Sequence, residues 1–438
     1  MRVGSAFVQT FGTQLLQSMA SIATGVLIAR ALGPTGQGTY SVFAAGIGLG
    51  STIATVGQFE SNVLTSQGRA TAGRVLLVRA LLHGLIVLAV LLAVGPWISS
   101  IVNLKTQGLA TVFAVVLALE VVALMARGIN LGQHHVTAYN LATLIQRVGY
   151  LVAVAAGAAL LGLTLVRVTL SWATAAALSI LASAIWIWRR SDPVPLTWAG
   201  IRDGWMGTLG RGLRAVTVIT LTLLLVRSDI WMLGRLLDLA TVGQISVATY
   251  LAEWLWYIPG ILASVLFAAA AADRGPVVVG QICRAARAVV LLVAPVTLVL
   301  LVIGRWLVVA LYGQSYGPAS WLFLILLPGM AAIALHLIVD SWFAGRGFPA
   351  ISLWSVAVAL AAKVGLNLLV VPHYGARGAA AVTSAVYLGL LTIKVVAFTR
   401  DTGVPVRNLL LPTAEDVRAN LATVRTWLSS RLGRVTRV

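Results

Sequence analysis

Residues 75–102 read VLLVRALLHGLIVLAVLLAVGPWISSIV, and after Arg79 this stretch holds no charged residue. At ~1.5 Å of rise per residue, about 20 apolar positions cross the hydrocarbon layer of a bilayer. The pattern lacks the period-2 alternation of a barrel strand. It is a membrane-spanning helix by length and composition. Working outward in both directions, eleven similar segments follow the same logic, so the predicted spans are 8–31, 37–62, 75–102, 108–131, 136–161, 165–188, 212–235, 241–272, 280–311, 318–345, 348–371 and 376–398. The expected fold is all-α and polytopic, with about twelve transmembrane helices.

Composition agrees. Of 438 residues, 59% are hydrophobic and 10% charged, whereas a soluble domain carries about a quarter charged residues. The formal charge of +19 does not signal nucleic-acid binding, because the arginines lie between apolar runs or in the tail instead of on one basic face. Cys283 is the single cysteine, which excludes an intrachain disulfide and a cysteine-based metal site. His83 and His373 have no ligand set around them, and no phosphate-binding glycine motif is present, so no metal and no cofactor is expected. The first apolar run is too long for a signal peptide and reads as the first span.

Positive charge sets the orientation. With the N-terminus inside, 21 basic residues fall on the cytoplasmic side, seven of them arginines from Arg400 to Arg437, and 6 fall outside: Arg30, Lys105, Arg167, Arg235, Arg305 and Arg377. The remaining four, Arg147, Arg227, Lys363 and Lys394, lie within spans. Both termini are therefore expected in the cytoplasm, which requires an even number of spans.

Two stretches read as interfacial. In the 189–211 linker, Trp198, Ile201, Trp205 and Leu209 recur at helical spacing. In the tail, Thr413 and Asp416 suit a capping box, followed by Val417, Leu421, Val424, Leu428, Leu432 and Val435 on one face with Arg418, Arg425, Arg431 and Arg434 off it. This predicts a helix on the anionic inner leaflet, each arginine adding about 1 kcal/mol near the surface, against the plainer reading of a solvated tail. The expected organisation is an N-terminal bundle over 1–188, the linker over 189–211, a C-terminal bundle over 212–399 and a basic amphipathic tail over 400–438.

The linker divides the spans six and six, so an axis relating the halves would run along the membrane normal. Arg30-Ala31-Leu32 followed by Gly36-Gln37 has a counterpart in Arg235-Leu236-Leu237 followed by Gly243-Gln244, at the equivalent turn of the second half. These landmarks carry a resemblance. The run Arg30-Ala31-Leu32-Gly33-Pro34-Thr35-Gly36-Gln37-Gly38-Thr39-Tyr40 looks like the end of the first span in polysaccharide-biosynthesis membrane proteins. These are the O-antigen-type lipid-linked oligosaccharide flippases of the multidrug/oligosaccharidyl-lipid/polysaccharide exporter superfamily. The resemblance continues through Arg227-Ser228-Asp229, Leu233-Gly234, Val242-Gly243 and Ala248. It returns at Tyr312-Gly313, Tyr316, Leu366-Asn367-Leu368, Pro372, Tyr374-Gly375 and Gly378-Ala379-Ala380. Ile245 departs from the family, which often places tyrosine there. The resemblance implies two six-helix bundles around a central cavity. It also implies alternating access that carries an undecaprenyl-pyrophosphate-linked oligosaccharide from the inner to the outer leaflet of the bacterial plasma membrane, for surface polysaccharide assembly. A monomer is expected.

Ionisable groups near the bilayer midplane cost a few kcal/mol and so are functional candidates. The deepest are Glu120, Arg147, Arg227, Asp229, Glu253 and Lys363. Arg147, Arg227 and Lys363 are the candidates for binding a pyrophosphate head, because a guanidinium fork pairs with phosphate oxygens; interhelical salt bridges are the competing reading. Glu120, Asp229 and Glu253 are candidates for a coupling cation or for fixing a neighbouring arginine. Arg227 and Asp229, two residues apart, do not face each other on a helix. His336 and Asp340, four apart on one face, form a candidate proton-coupling pair, with an ordinary hydrogen-bonded pair as the alternative. Trp254, Trp256 and Tyr257 beside Glu253 suit either stacking on sugar or core packing. Pro259, Pro295 and Pro328 should kink their helices. His134 and His135 should be solvated in a cytoplasmic turn.

Three alternatives to the oligosaccharide flippase remain. A multidrug or cation antiporter of the same superfamily would want an acidic cavity, against which the three deep basic residues count. A lipid II flippase would carry extra spans. A membrane-embedded enzyme would need a catalytic loop, and the longest one, 189–211, offers only Asp192 and Asp203.

Overall fold

The computed structural model describes residues 3–66, 73–102, 107–192, 197–273, 275–414, 416 and 418. They form thirteen α-helices and two short 3₁₀ turns, with no strand among the described residues. In order these are α1 (Val3–Ala54), α2 (Gln58–Thr65), α3 (Gly73–Val102), α4 (Gln107–Gly132), α5 (Val136–Leu160), α6 (Leu165–Arg190), α7 (Trp198–Leu236), α8 (Leu239–Ala252), α9 (Tyr257–Ala272), α10 (Pro276–Tyr312), α11 (Gly317–Gly345), α12 (Ala350–Thr402) and α13 (Val406–Leu410). Among the described residues, ten helical stretches are long and apolar enough to cross a membrane, which makes this a multi-pass membrane protein.

Local backbone chemistry explains where ten stretches replace the expected twelve. Spans 8–31 and 37–62 share the continuous helix α1, interrupted only at Gly33, whose φ of 65° and ψ of 179° are non-helical and are followed by Pro34. Glycine alone adopts that conformation without strain, so one residue does the work of a loop. Spans 348–371 and 376–398 likewise share α12, broken at Gly375 (φ 56°, ψ −145°) three residues after Pro372. The second span also ends early: Val56 (φ 47°) and Gly57 (φ 75°) turn the chain before α2 begins. The span expected over 241–272 divides at the 3₁₀ turn Glu253–Trp256, just ahead of Pro259. Pro295 and Pro328 sit inside α10 and α11. The seventh span continues the linker helix without interruption from Trp198. The side chains of its apolar stripe, Trp198 to Leu209, lie outside the described residues, as does most of the tail helix.

The chain forms two compact units, Met1–Ser246 and Val247–Val438. In the first, α4 is the most enclosed span, with 56% of its most apolar stretch buried. One face meets α3 and α6 through Leu76, Leu77, Ala126, Ile129 and Ile187, and another meets α1 through Phe43, Ile47 and Val116. Gly128 and Gly132 let α2 lie against the α4 backbone, where a Cβ would come within 2.9 Å of the Phe59 carbonyl and 2.4 Å of the Val63 carbonyl. The tightest approach is between Gly38 and Gly243. A Cβ on Gly38 would sit 1.8 Å from the Leu239 carbonyl oxygen, and one on Gly243 1.9 Å from that of Pro34. The two backbones touch because neither residue has a side chain, the usual device for close helix crossing in membranes.

In the second unit α11 is the enclosed helix, with 67% of its most apolar stretch buried. It is apolar on every side, as a helix surrounded by protein should be. Phe323 fills the space above Gly304 of α10, and Gly329 lets Ser384 of α12 approach. Trp342 stacks edge-on against Phe398 with centroids 5.8 Å apart.

Candidate functional site

In the first unit a polar network crosses four helices inside the apolar core. Glu120 on α4 is its hub. Its Oε1 accepts from Trp172 Nε1 of α6 at 2.5 Å and from the Gln146 amide of α5. Arg127, two turns along α4, donates to Gln146 Oε1 and lies 3.8 Å from Glu120 Oε2. The three side chains Glu120, Gln146 and Arg127 are all buried. Each takes its charge or dipole from the others, which is the condition for keeping ions out of water. Tyr150, one turn beyond Gln146, packs on Trp172 at 5.9 Å and donates its hydroxyl to that of Tyr40 at 3.1 Å, tying α5 to α1.

Arg147 stands apart. It neighbours Gln146 on α5 but is exposed, and among the described residues no hydrogen bond or ion pair engages it. Its charge is close enough to act on both Arg127 and Tyr150. At the middle of a 25-residue span, a guanidinium facing hydrocarbon would be costly, which keeps Arg147 a candidate for contact with water or a ligand. On α7, Asp229 and Ser228 are buried and Arg227 is half-buried, with its Nη1 enclosed.

In the second unit Lys363 on α12 is wholly buried, its ammonium 5.4 Å from the Tyr387 ring centroid on the returning arm of the same helix. Asn367, one turn on, is equally buried. Glu253 is buried at the 3₁₀ turn, where Trp254 and Tyr257 pair at 5.7 Å. Asp340 binds Lys394 Nζ at 2.6 Å, Lys394 also donates to Ser352 Oγ at 3.1 Å, and its ammonium lies 4.8 Å from the Phe343 ring. His336 sits one turn from Asp340 in the buried interior and feels the charges of both Asp340 and Lys394. A fifth acid outside the spans, Asp401, accepts from Trp342 Nε1 at 2.7 Å and from Arg346, whose guanidinium stacks on the same indole at 3.5 Å.

Sequence reasoning therefore found the acids but missed several partners. Arg127, Gln146, Trp172 and Tyr40 are invisible to a search for mid-span charge, because three are neutral and Arg127 lies near a helix end. The seven-residue spacing of Glu120 and Arg127, two turns on one face, was the available signal. Lys394 was marked as buried charge without its partner. His134 is exposed as expected, but His135 packs edge-on to Trp186 at 6.3 Å. Burial first, and then the charges of Arg190 and His134, push His135 below the usual imidazole value.

Long apolar helices, glycine-mediated crossings and charge networks enclosed within each unit define an all-α, multi-pass membrane protein. Lipid II flippase MurJ in an inward closed conformation has a similar fold, with a TM-score of 0.74 at 10% identity over 92% of this chain and 89% of that one. An inward-facing multidrug resistance MATE family transporter of the MOP superfamily gives 0.70 at 16% identity, over 91% and 98%. A MOP superfamily transporter from Pyrococcus furiosus Vc1, described as having a binding pocket of reverse polarity, gives 0.62 at 16% identity, over 91% and 95%. No curated protein matches the sequence. The chain belongs to the polysaccharide biosynthesis protein family, whose model matches residues 27–320.

Proposed function

We propose that this protein is a flippase that moves a lipid-linked oligosaccharide from the inner to the outer leaflet during surface polysaccharide assembly. The chain would form twelve spans, six in each of two lobes over 1–188 and 212–399, with both termini in the cytoplasm of a bacterial cell. Counting α1 and α12 as two spans each supports twelve. The most enclosed helices, α4 and α11, would be the fourth span of each lobe, which supports the repeat. Family membership supports a polysaccharide precursor as cargo.

One observation carries the site assignment: Glu120 is already neutralised by Arg127, while Arg147 is left exposed mid-span beside them. Arg147 would bind the pyrophosphate of the lipid carrier, with the half-buried Arg227 as a further basic contact, whereas the wholly buried Lys363 would hold the two arms of α12 together beside Tyr387. Glu120 would then position α5, and Asp229 and Glu253 would remain candidates for a coupling cation. The buried His336 beside the Asp340–Lys394 pair is the candidate for a coupled proton. The second reading, a drug or cation antiporter, is favoured by the similarity to MATE transporters and opposed by the basic character of the mid-span residues. The test is complementation of a strain lacking its own oligosaccharide flippase. Arg147→Ala should insert at wild-type abundance yet fail to restore surface polysaccharide, and Arg147→Lys should restore it in part. Full export by Arg147→Ala would remove Arg147 from the site.

A further inference from the structure

After α12 the chain does not leave the protein at once. Gly403, with φ 72°, ends α12, Pro405 starts α13, and Leu409 of α13 is completely buried. Arg287 of α10 then gathers the segment. Its Nη1 donates to the Asn408 carbonyl at 2.5 Å, and its Nε and Nη2 donate to the two carboxylate oxygens of Asp416 at 2.7 and 3.0 Å. Asp416 is also half of a complete capping box: it accepts from Thr413 N at 2.8 Å and from Thr413 Oγ1 at 2.6 Å, and its own N–H donates to Thr413 Oγ1 at 3.2 Å. Bonds from Arg287 and then Thr413 hold the carboxylate well below its usual range. A helix start is thus pinned to α10, and Ala414, Asp416 and Arg418 are helical.

The sequence beyond that start has one character. Residues 417–438 contain five arginines and no acid, and Val417, Leu421, Val424, Leu428, Leu432 and Val435 recur at helical spacing. An acidic soluble partner would satisfy the guanidinium groups but leave the apolar stripe in water. A bilayer surface takes both, the stripe among the acyl chains and the guanidiniums on headgroup phosphates. We infer that the segment starting at Thr413 docks on a bilayer surface bearing anionic headgroups, and that the Arg287–Asp416 pair is the joint fixing where it leaves the protein.

The test uses full-length protein with Cys283→Ser and Leu428→Cys, labelled at position 428, within the apolar stripe, with an environment-sensitive fluorophore. It is placed in nanodiscs of phosphatidylcholine alone, or with one third replaced by phosphatidylglycerol. Both leaflets of a disc carry the same lipid, so the outcome depends neither on insertion orientation nor on the cargo. Blue-shifted emission is expected only in the anionic discs, and should revert near ~1 M salt, where charges are screened within about 3 Å. Changing Arg418, Arg425, Arg431 and Arg434 together to glutamine should weaken docking by roughly three orders of magnitude, at about five-fold per arginine. Asp416→Asn should keep the lipid-dependent shift but speed tryptic release of the tail several-fold in phosphatidylcholine discs. Equal emission in both disc types, shifted or not, would overturn the docking. An unchanged tryptic rate in Asp416→Asn would overturn the joint.

Discussion

Replacing Gly38 by alanine adds one methyl group where two main chains already touch. The new Cβ would lie 1.8 Å from the Leu239 carbonyl oxygen, 2.8 Å from its carbon and 3.0 Å from the Gly243 nitrogen. All three are backbone atoms, so no side chain can swing aside. The helices must part by about 1.6 Å, the shortfall from the 3.4 Å at which ordinary contact begins. Overpacking of a fitted interior costs ~1–3 kcal/mol, and a main-chain obstacle belongs at the upper end of that range. At about 2–4 °C per kcal/mol, the melting temperature should fall by several degrees. Gly48 is the control, because a Cβ there meets nothing within 4 Å, and alanine favours a helix by up to ~1 kcal/mol. Thermal melts followed by fluorescence-detected size exclusion would measure both variants. Gly38→Ala melting with the parent, or with Gly48→Ala, would refute the backbone crossing. Gly243→Ala, at 1.9 Å from the Pro34 carbonyl oxygen, should behave like Gly38→Ala.

Arg127→Ala should destabilise the first unit by ~3–5 kcal/mol, because it strands the buried Glu120 carboxylate, and Glu120→Gln should be similarly damaging, because it strands the buried Arg127 guanidinium; the same melts measure both. Lys394→Met alone should be as damaging in the second unit, and adding Asp340→Leu should recover much of the loss, checked by a double-mutant cycle. For the tail joint the sign follows from a depressed acid: Asp416 contributes above its unfolded carboxylate value of 3.8 and loses that contribution only as pH falls through its lower folded value. Tryptic release of the tail, after incubation at each pH and assay at a common one, should be flat from about pH 9 to 5 and rise only in stronger acid. A rise near neutrality would point to another group.

Span positions were legible because run length and the absence of charge are properties of sequence alone. Residues 108–131, 136–161 and 318–345 agree with α4, α5 and α11 within a residue or two. The ends of the second span were not legible, because Val56 holds a positive φ that no β-branched residue prefers and only tertiary contacts impose. The site was half legible. Mid-span charge pointed to Glu120 and Arg147, but what separates them is Gln146, a neutral amide whose role depends on two neighbours brought together by folding. Asp340 was found with His336, its helix neighbour, whereas its direct ion-pair partner, Lys394, lies 54 residues away in sequence and needed the packing of α11 on α12 to be seen.

Gly33 and Gly375 also bear on how the chain enters a membrane. With a single non-helical residue between its two arms, each of α1 and α12 has no intervening loop to expose to water. Each should leave the ribosome and partition into lipid as one unit, both arms together. An insertion of even a few residues after Gly33 would uncouple the arms and be tolerated less well than the same insertion near Gly162, at the exposed turn between α5 and α6.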